Sequence, residues 1–213
     1  MLRFTADYRE VVTMNDGREV LLRLVRPDDK PLLLAGFAKL SATGRLRRFL
    51  VPKNELSQAE LRYFTEVDQD NHFALGAALV VDGHEEGIGV ARFVRYPDDR
   101  QCAEPAVAVV DDMQGKGLGR LLLMRLTQAA LERGVTRFRC YLLAENVTVK
   151  TLFKELWPAG AESYEGAVSV IDFTLAPAEP EAAPSDDGDR GEEQSGRPLQ
   201  RALAMAAAQI IRL

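Results

Sequence analysis

Cysteine and histidine are scarce in this 213-residue sequence, with two of each. Cys102 and Cys140 lie in strand-like stretches and form no CxxC pair. Neither a disulfide framework nor a thiolate metal site is expected, and both read as ordinary thiols of a reducing compartment. His72 in "NHFALG" and His84 in "DGHEEG" stand far apart without ligand spacing, so both are read as solvated and no metal is expected. No run of about 18 apolar residues is present, so no membrane span is expected. The beginning, "MLRFTADYREVV", carries acids and lacks an apolar core, so it does not read as a secretory signal. Together these absences predict a cytoplasmic protein. An excess of basic residues is missing too. The net charge is -5, and nucleic acid would need a clustered basic face.

The charge is unevenly placed. Residues 176–198 hold seven acids (Glu179, Glu181, Asp186, Asp187, Asp189, Glu192 and Glu193) against Arg190 and Arg197. The rest of the chain sums to zero. The same stretch is Pro, Ala, Gly and Ser with almost no large apolar group. It cannot offset its ordering entropy by burial and is expected to be a disordered linker. "PLQRALAMAAAQIIRL" then reads as an amphipathic helix over 199–213, with Leu199, Leu203, Ala206, Ile210 and Leu213 on one face. Docking on its own domain, on a twin subunit in a homodimer, or on a partner is its expected role.

Before the linker, strands and helices alternate. "EVVTMNDGREVLLRLVR" (10–26) reads as two strands around Asn15-Asp16-Gly17, which supplies the positive-φ residues of a tight hairpin. Residues 1–17 are therefore an N-terminal extension with the first hairpin strand. A helix follows, with Asp28 or Asp29 as N-cap, Pro31 in its first turn, and Leu32, Leu33, Ala35, Phe37 and Leu40 near helical spacing. Ser57 and Glu60 form a capping box ahead of a second helix. Residues 73–81, 87–95 and 103–111 read as strands. "GLGRLLLMRLTQAALERG" is the longest predicted helix, with Gly134 at its C′ position. Residues 136–143 are a strand, Asn146 opens a shorter helix ended by Pro158 and Gly160, and 168–175 is the last strand.

"VVDDMQGKGLGRLLL" (109–123) places Gly115, Gly117 and Gly119 between a strand and the long helix. The first amide N–H groups of a helix have no intrahelical partners, and the dipole adds positive character there. Glycine lets the backbone approach a pyrophosphate closely, so the stretch suits a phosphate. Gln114, Lys116 and Arg120 are candidate extra donors. The spacing is neither the dinucleotide G-x-G-x-x-G nor the G-x-x-x-x-G-K-[ST] phosphate loop.

"QGKGLG" is Q-x-x-G-x-G, which resembles the acyl-CoA pyrophosphate loop of the GNAT N-acetyltransferase superfamily. "AVAVVDDMQGKGLGRLLLMRLTQAALERG" and "LLAENVTVKTLFKEL" are similar to that family's strand–loop–helix and its following strand end and helix. The resemblance covers roughly residues 18–175. It implies an α/β (α+β) fold: a mixed, mostly antiparallel central sheet flanked by helices. It implies acetyl-CoA as co-substrate, with the pyrophosphate on the backbone of Gln114, Gly115, Lys116, Gly117, Leu118, Gly119 and Arg120. It also implies a splay after the strand at Val109, Val110 and Asp111, where main-chain groups pair with the pantetheine arm, and a cofactor contact from Asn146. "RLVRPDD…LSATGRLRRF", "LSQAELRYFTEVD" and "AEPAVAVVDDMQGKGLG" resemble more narrowly the catalytic domain of bacterial Pat-type protein lysine acetyltransferases. The cyclic-nucleotide-binding or acyl-CoA-synthetase-like domain often fused in that group has no room in this sequence.

Acetyl transfer to an amine needs a neutral nucleophile, whereas a lysine amine titrates near 10.4, so a base must take its proton. Glu104, at the start of the strand that runs into the glycine turn, is the expected base, and the resemblance aligns the Pat-type catalytic glutamate with it on "AEPA". Pro105 marks an edge or splayed site. A backbone N–H near Val109 or Val110 is a candidate for stabilising the acyl oxygen. Where many family members carry a tyrosine, seven residues after the asparagine, Phe153 stands. Arg45, Arg47 and Arg48 are either a solvated helix face or contacts to substrate or phosphate. The leading expectation is an acetyl-CoA-dependent N-acetyltransferase acting on an amine, above all a protein lysine. A small-amine acetyltransferase and a non-catalytic acyl-CoA-binding module are the alternatives.

Overall fold

The computed structural model describes residues 2–175. The linker expected over 176–198 and the helix expected over 199–213 lie outside the described residues. In chain order the elements are β1 (Arg9–Thr13), β2 (Glu19–Leu24), α1 (Lys30–Ala38), α2 (Ala42–Phe49), α3 (Gln58–Thr65), β3 (His72–Val81), β4 (His84–Tyr96), β5 (Asp99–Val109), α4 (Leu118–Glu132), β6 (Arg137–Leu143), α5 (Val147–Leu156), β7 (Ala159–Glu165) and β8 (Val168–Thr174). The strands form one eight-stranded sheet in the order β1-β2-β3-β4-β5-β6-β8-β7. Every neighbouring pair is antiparallel except β5 and β6. This is the mixed, mostly antiparallel sheet with flanking helices that the resemblance implied. Among the described residues no helix is long and apolar enough to cross a membrane.

Local chemistry accounts for most of the boundaries. Gly17 closes the first hairpin at φ +83°. The β1–β2 pairing carries the sheet across the boundary at residue 17. Phe4 and Tyr8, ahead of β1, are buried in the main core. Ser57 and Glu60 make the reciprocal capping box at the start of α3. Asp29 occupies the N-cap of α1 but makes no side-chain cap bond. Its carboxylate instead takes two hydrogen bonds from the Arg23 guanidinium at 2.7 Å and one from the Arg26 amide. A charged partner held in place outcompetes the helix's own donors. α1 rests directly on the sheet where Gly36 faces the Gly87 carbonyl. β7, "AGAESYE", has too few apolar residues for the alternation that marks a strand. It forms because the edge of β8 offers a ladder to pair with.

The sheet separates two cores. On one face α4 and α5 pack Leu118, Leu122, Leu126, Phe153 and Trp157 against Phe93, Phe138 and Phe173. On the other, α1–α3 hold a smaller cluster of Phe37, Leu40, Phe49, Leu56, Leu61 and Phe64. Direct opposition puts Arg92, Val94, Ala106 and Glu104 on one face of the sheet, because Arg92 pairs with Ala106 and Val94 with Glu104. Arg92 donates to the Phe64 carbonyl of α3, so this is the face under α1–α3.

Candidate active site

The site begins where β5 and β6 part. Their parallel ladder has two register pairs, Cys102 with Arg137 and Ala103 with Phe138. From Glu104 to Val109, β5 stays paired to β4 alone. The splay therefore opens at Glu104, five residues earlier than the Val109–Asp111 position the resemblance implied. Strand twist spreads the parallel pair apart once α4 must be accommodated as the crossover between them.

Alternation fixes which main-chain groups face the gap. The Val110 amide donates to the Ile88 carbonyl at 3.0 Å, and the Ala108 carbonyl also points toward β4, lying 3.3 Å from where a Gly89 Cβ would sit. The main-chain groups of Pro105, Val107 and Val109 then point the other way, into the gap. Val110 is thereby removed as an oxyanion donor, and Val107 joins Val109 as a donor facing the opening. Pro105 has no amide, so no ladder bond is lost at the position it occupies.

The gap widens into a cleft of about 620 Å³. Its lining brings together Glu104, Val109, Gln114, Gly115, Gly117, Gly119, Arg120 and Asn146 from the predicted set. Four predicted residues contribute otherwise. Leu118 is fully buried in the main core, so only its backbone can serve a ligand. Val110 is buried and turned toward β4. The Lys116 ammonium donates back to the Asp112 carbonyl at 2.7 Å. The Asp111 carboxylate accepts from the Ser41 amide at the start of α2 and from Gln114 Nε2, which binds the glycine turn to α2.

At the turn, Gly115 and Gly117 have φ of +71° and +86°, and a Cβ on either would meet nothing within 4 Å. Side chains there would stand in the cleft itself. Among the described residues, none of the amides from Gly115 to Arg120 has a backbone acceptor, and Leu121 is the first to bond within the helix, to Gly117. Six consecutive donors thus border an open, Cβ-free surface at the positive end of a 15-residue helix. Arg120 forms an exposed ion pair with Glu155 at 2.8 Å across the cleft mouth. Asn146, 4% exposed, is held at the start of α5 without capping it.

Glu104 stands at the apex of the wedge. Arg48 of α2 faces it, close enough for the carboxylate to favour the charged guanidinium against the desolvation that lowers it. Arg47 and Arg48 line the cleft, whereas Arg45 stacks on the Phe37 ring at 4.5 Å. Tyr141 of β6 lines the cleft opposite β5, and burial raises its phenol above the ordinary value. Tyr164 is exposed and bonded to Glu162, outside the site. Phe153 is buried against Trp157 and Phe173. His72 is not solvated: it packs on the Tyr63 ring at 4.7 Å and meets Arg92 Nη1 at 3.1 Å. Desolvation, with the Arg92 charge second, pulls it down to about 3, so it is neutral and accepts from Arg92. His84 is exposed. Both cysteines are buried, and burial raises their thiols.

Sequence reasoning missed Arg92 and Val107 and could not place Tyr141. Arg92 left a signal, since it interrupts "GIGVARFV", an otherwise apolar run. Tyr141 and Val107 left none, because only the splay gives them a common space.

Residues 43–156 match the acetyltransferase (GNAT) family. The chain is 30% identical over 161 residues to acetyltransferase PA5475 of Pseudomonas aeruginosa, covering 76% of this chain and 86% of that protein. It is 32% identical over 145 residues to acetyltransferase Pat of Mycolicibacterium smegmatis, covering 68% of this chain and 43% of Pat. It thus spans less than half of that longer relative. The crystal structure of the GNAT domain of S. lividans PAT superposes with a TM-score of 0.72 at 26% identity, over 80% of this chain and 99% of that domain. A matched family, a Pat-like domain and a splayed strand leading into six free amides converge on one statement: the chain belongs to the GNAT acetyltransferase family and is an acetyl-CoA-dependent N-acetyltransferase.

Proposed function

We propose that this enzyme acetylates a protein lysine ε-amine by direct attack within a ternary complex, with Glu104 as general base. The observation that carries the reading is the position of Glu104, the first residue of β5 beyond the β6 ladder and part of the cleft that the glycine turn borders. Similarity to Pat supports a protein lysine as acceptor.

Acetyl-CoA supplies an acyl group activated as a thioester. The Gly115–Arg120 amides and the helix dipole hold its pyrophosphate, and Gly115 and Gly117 leave the room a phosphate needs. The gap-facing groups of Val107 and Val109 pair with the extended arm as a neighbouring strand would, and Asn146 closes the opposite wall. Glu104 takes the proton from the incoming ammonium, directly or through one water, so that the amine is neutral when it attacks. A gap-facing amide of β5 stabilises the negative charge that develops on the acyl oxygen. Phe153 has no proton for the departing thiolate. Tyr141, kept protonated by burial, faces the same cleft and can provide one.

Glu104→Gln is expected to bind acetyl-CoA with unchanged affinity by calorimetry and to lose about a hundredfold or more in kcat. Full turnover in that variant would remove Glu104 from the mechanism. Unaltered acetyl-CoA binding with no transfer to any amine in the wild type would favour an acyl-CoA-binding module instead.

A further inference from the structure

Two acidic side chains line the cleft, Glu104 at its apex and Glu155 at its mouth. Glu104 has a part in the transfer. Glu155 stands where an acid is least expected, beside a turn suited to receive a polyanion.

Its position follows from α5. Thr148, Leu152 and Glu155 recur at helical spacing along the side of α5 that lines the cleft. Leu152 lies against the glycine turn, since a Cβ on Gly119 would be 3.9 Å from Leu152 Cδ2. Glu155, one helical turn further along, accepts from Arg120 Nη1 at 2.8 Å through its Oε2. Arg120 is the last of the six residues at the start of α4 whose amides have no backbone acceptor. The Lys116 ammonium is turned back to the Asp112 carbonyl, and Arg47 and Arg48 belong to α2. Arg120 is therefore the cation that the turn itself presents at the mouth, and Glu155 holds it.

The hold is loose. The Arg120 and Glu155 side chains are 48% and 54% exposed, and water and salt leave an ion pair this open with little strength. A pyrophosphate carries more charge than a carboxylate and offers oxygens that suit the planar fork of a guanidinium. The free amides and the helix dipole draw it to the same place. One guanidinium thus has two anions competing for it.

We propose that Glu155 is a counter-ion that the pyrophosphate displaces: it holds Arg120 in the free enzyme, yields it to incoming acetyl-CoA and takes it back as CoA leaves. Glu155 therefore weakens the binding of acetyl-CoA and CoA alike and shortens the time that CoA stays bound. The proposal rests on the glycine turn being the pyrophosphate site.

Calorimetry and stopped-flow displacement of CoA test it. Glu155→Gln is expected to bind CoA and acetyl-CoA about fivefold more tightly at low salt and to release CoA more slowly by a similar factor. The gain is expected to shrink at high salt. Arg120→Gln is expected to weaken binding, and in that background Glu155→Gln should change affinity by no more than about twofold, because the two substitutions remove one shared interaction. The sign separates this role from a structural one: a mere tie between α4 and α5 would loosen the cleft when cut and weaken binding. Dephospho-CoA, which keeps the pyrophosphate and lacks the 3′-phosphate, is expected to show the same gain. Unchanged or weaker CoA binding in Glu155→Gln, or a full gain without Arg120, would overturn the proposal. So would a gain confined to CoA, which would assign the exchange to the 3′-phosphate. Gly117→Glu tells the two levels apart. Intact CoA binding in that variant would remove the pyrophosphate from the turn and the exchange with it, whereas weakened binding there without a gain in Glu155→Gln would overturn the exchange alone.

Discussion

Pro105 has no amide to donate, and at its position none is needed. The same logic runs through the other residues of the site, whose roles are set by which way their groups point. Glu104, Gln114 and Asn146 were legible in the sequence because a charge or an amide at a strand start, turn or helix start already has chemical meaning. Lys116 was misleading for the same reason: its ammonium reaches the Asp112 carbonyl of its own turn, which no spacing reveals. Leu118 shows the opposite case, a residue whose amide has no backbone acceptor at the turn while its side chain belongs to the core. Gly117 allows a direct test. Its Cβ would enter open space in the cleft, and its φ of +86° disfavours any side chain. Gly117→Glu is expected to weaken acetyl-CoA binding at least about tenfold through steric and charge repulsion of the pyrophosphate. Gly117→Asn, which tolerates the left-handed backbone, separates the repulsion from the backbone strain. Calorimetry on both variants reads the difference.

At the scale of elements, α4 and the β3–β5 strands emerged from periodicity, since each buries one face or both. β7 did not, because an edge strand with few apolar residues owes its form to its neighbour. α2 was visible only as a run of arginines, "GRLRRF", whose apolar face is too short to register. Its placement follows from a tertiary bond, the Asp111 carboxylate accepting from Ser41. α4 sits on β4 at a glycine. A Cβ on Gly89 would lie 3.0 Å from Leu122 Cδ1, 3.3 Å from the Ala108 carbonyl and 3.4 Å from Leu118 Cδ2. Gly89→Ala therefore requires Leu122, Leu118 and the Ala108 carbonyl to give by a few tenths of an ångström at the turn that borders the cleft. The expected cost is about 1–3 kcal/mol, read as a lower urea midpoint with an unchanged slope, together with weaker acetyl-CoA binding.

Across the whole molecule, the fold class was legible because strand, turn and helix signals occur in an order few folds share. The long-range ties were not, since they join residues that sequence distance keeps apart. Glu10 of β1 is the clearest. It accepts from Arg125 of α4 at 2.6 and 2.8 Å and from the Tyr8 hydroxyl, and so fastens the first strand to the long helix. Those bonds, that to Arg125 above all, lower its carboxyl from 4.5 to about 2. A depressed carboxyl stabilises the fold above its unfolded value and loses that contribution as pH falls through the folded one. Stability is therefore expected to drop between about pH 4.5 and about pH 2. Glu10→Gln should cost about 2 kcal/mol at pH 7 and nothing further below that window, which urea melts across pH would show. The short β5–β6 seam has a broader consequence. Two register pairs join a leaf of five strands to a leaf of three, and everything beyond Ala103 is an open spine. A ligand laid along that spine would touch both leaves at once and bind only the folded chain, so it would act as a thermodynamic clasp: resistance to heat is expected to rise with the concentration of acetyl-CoA around the enzyme.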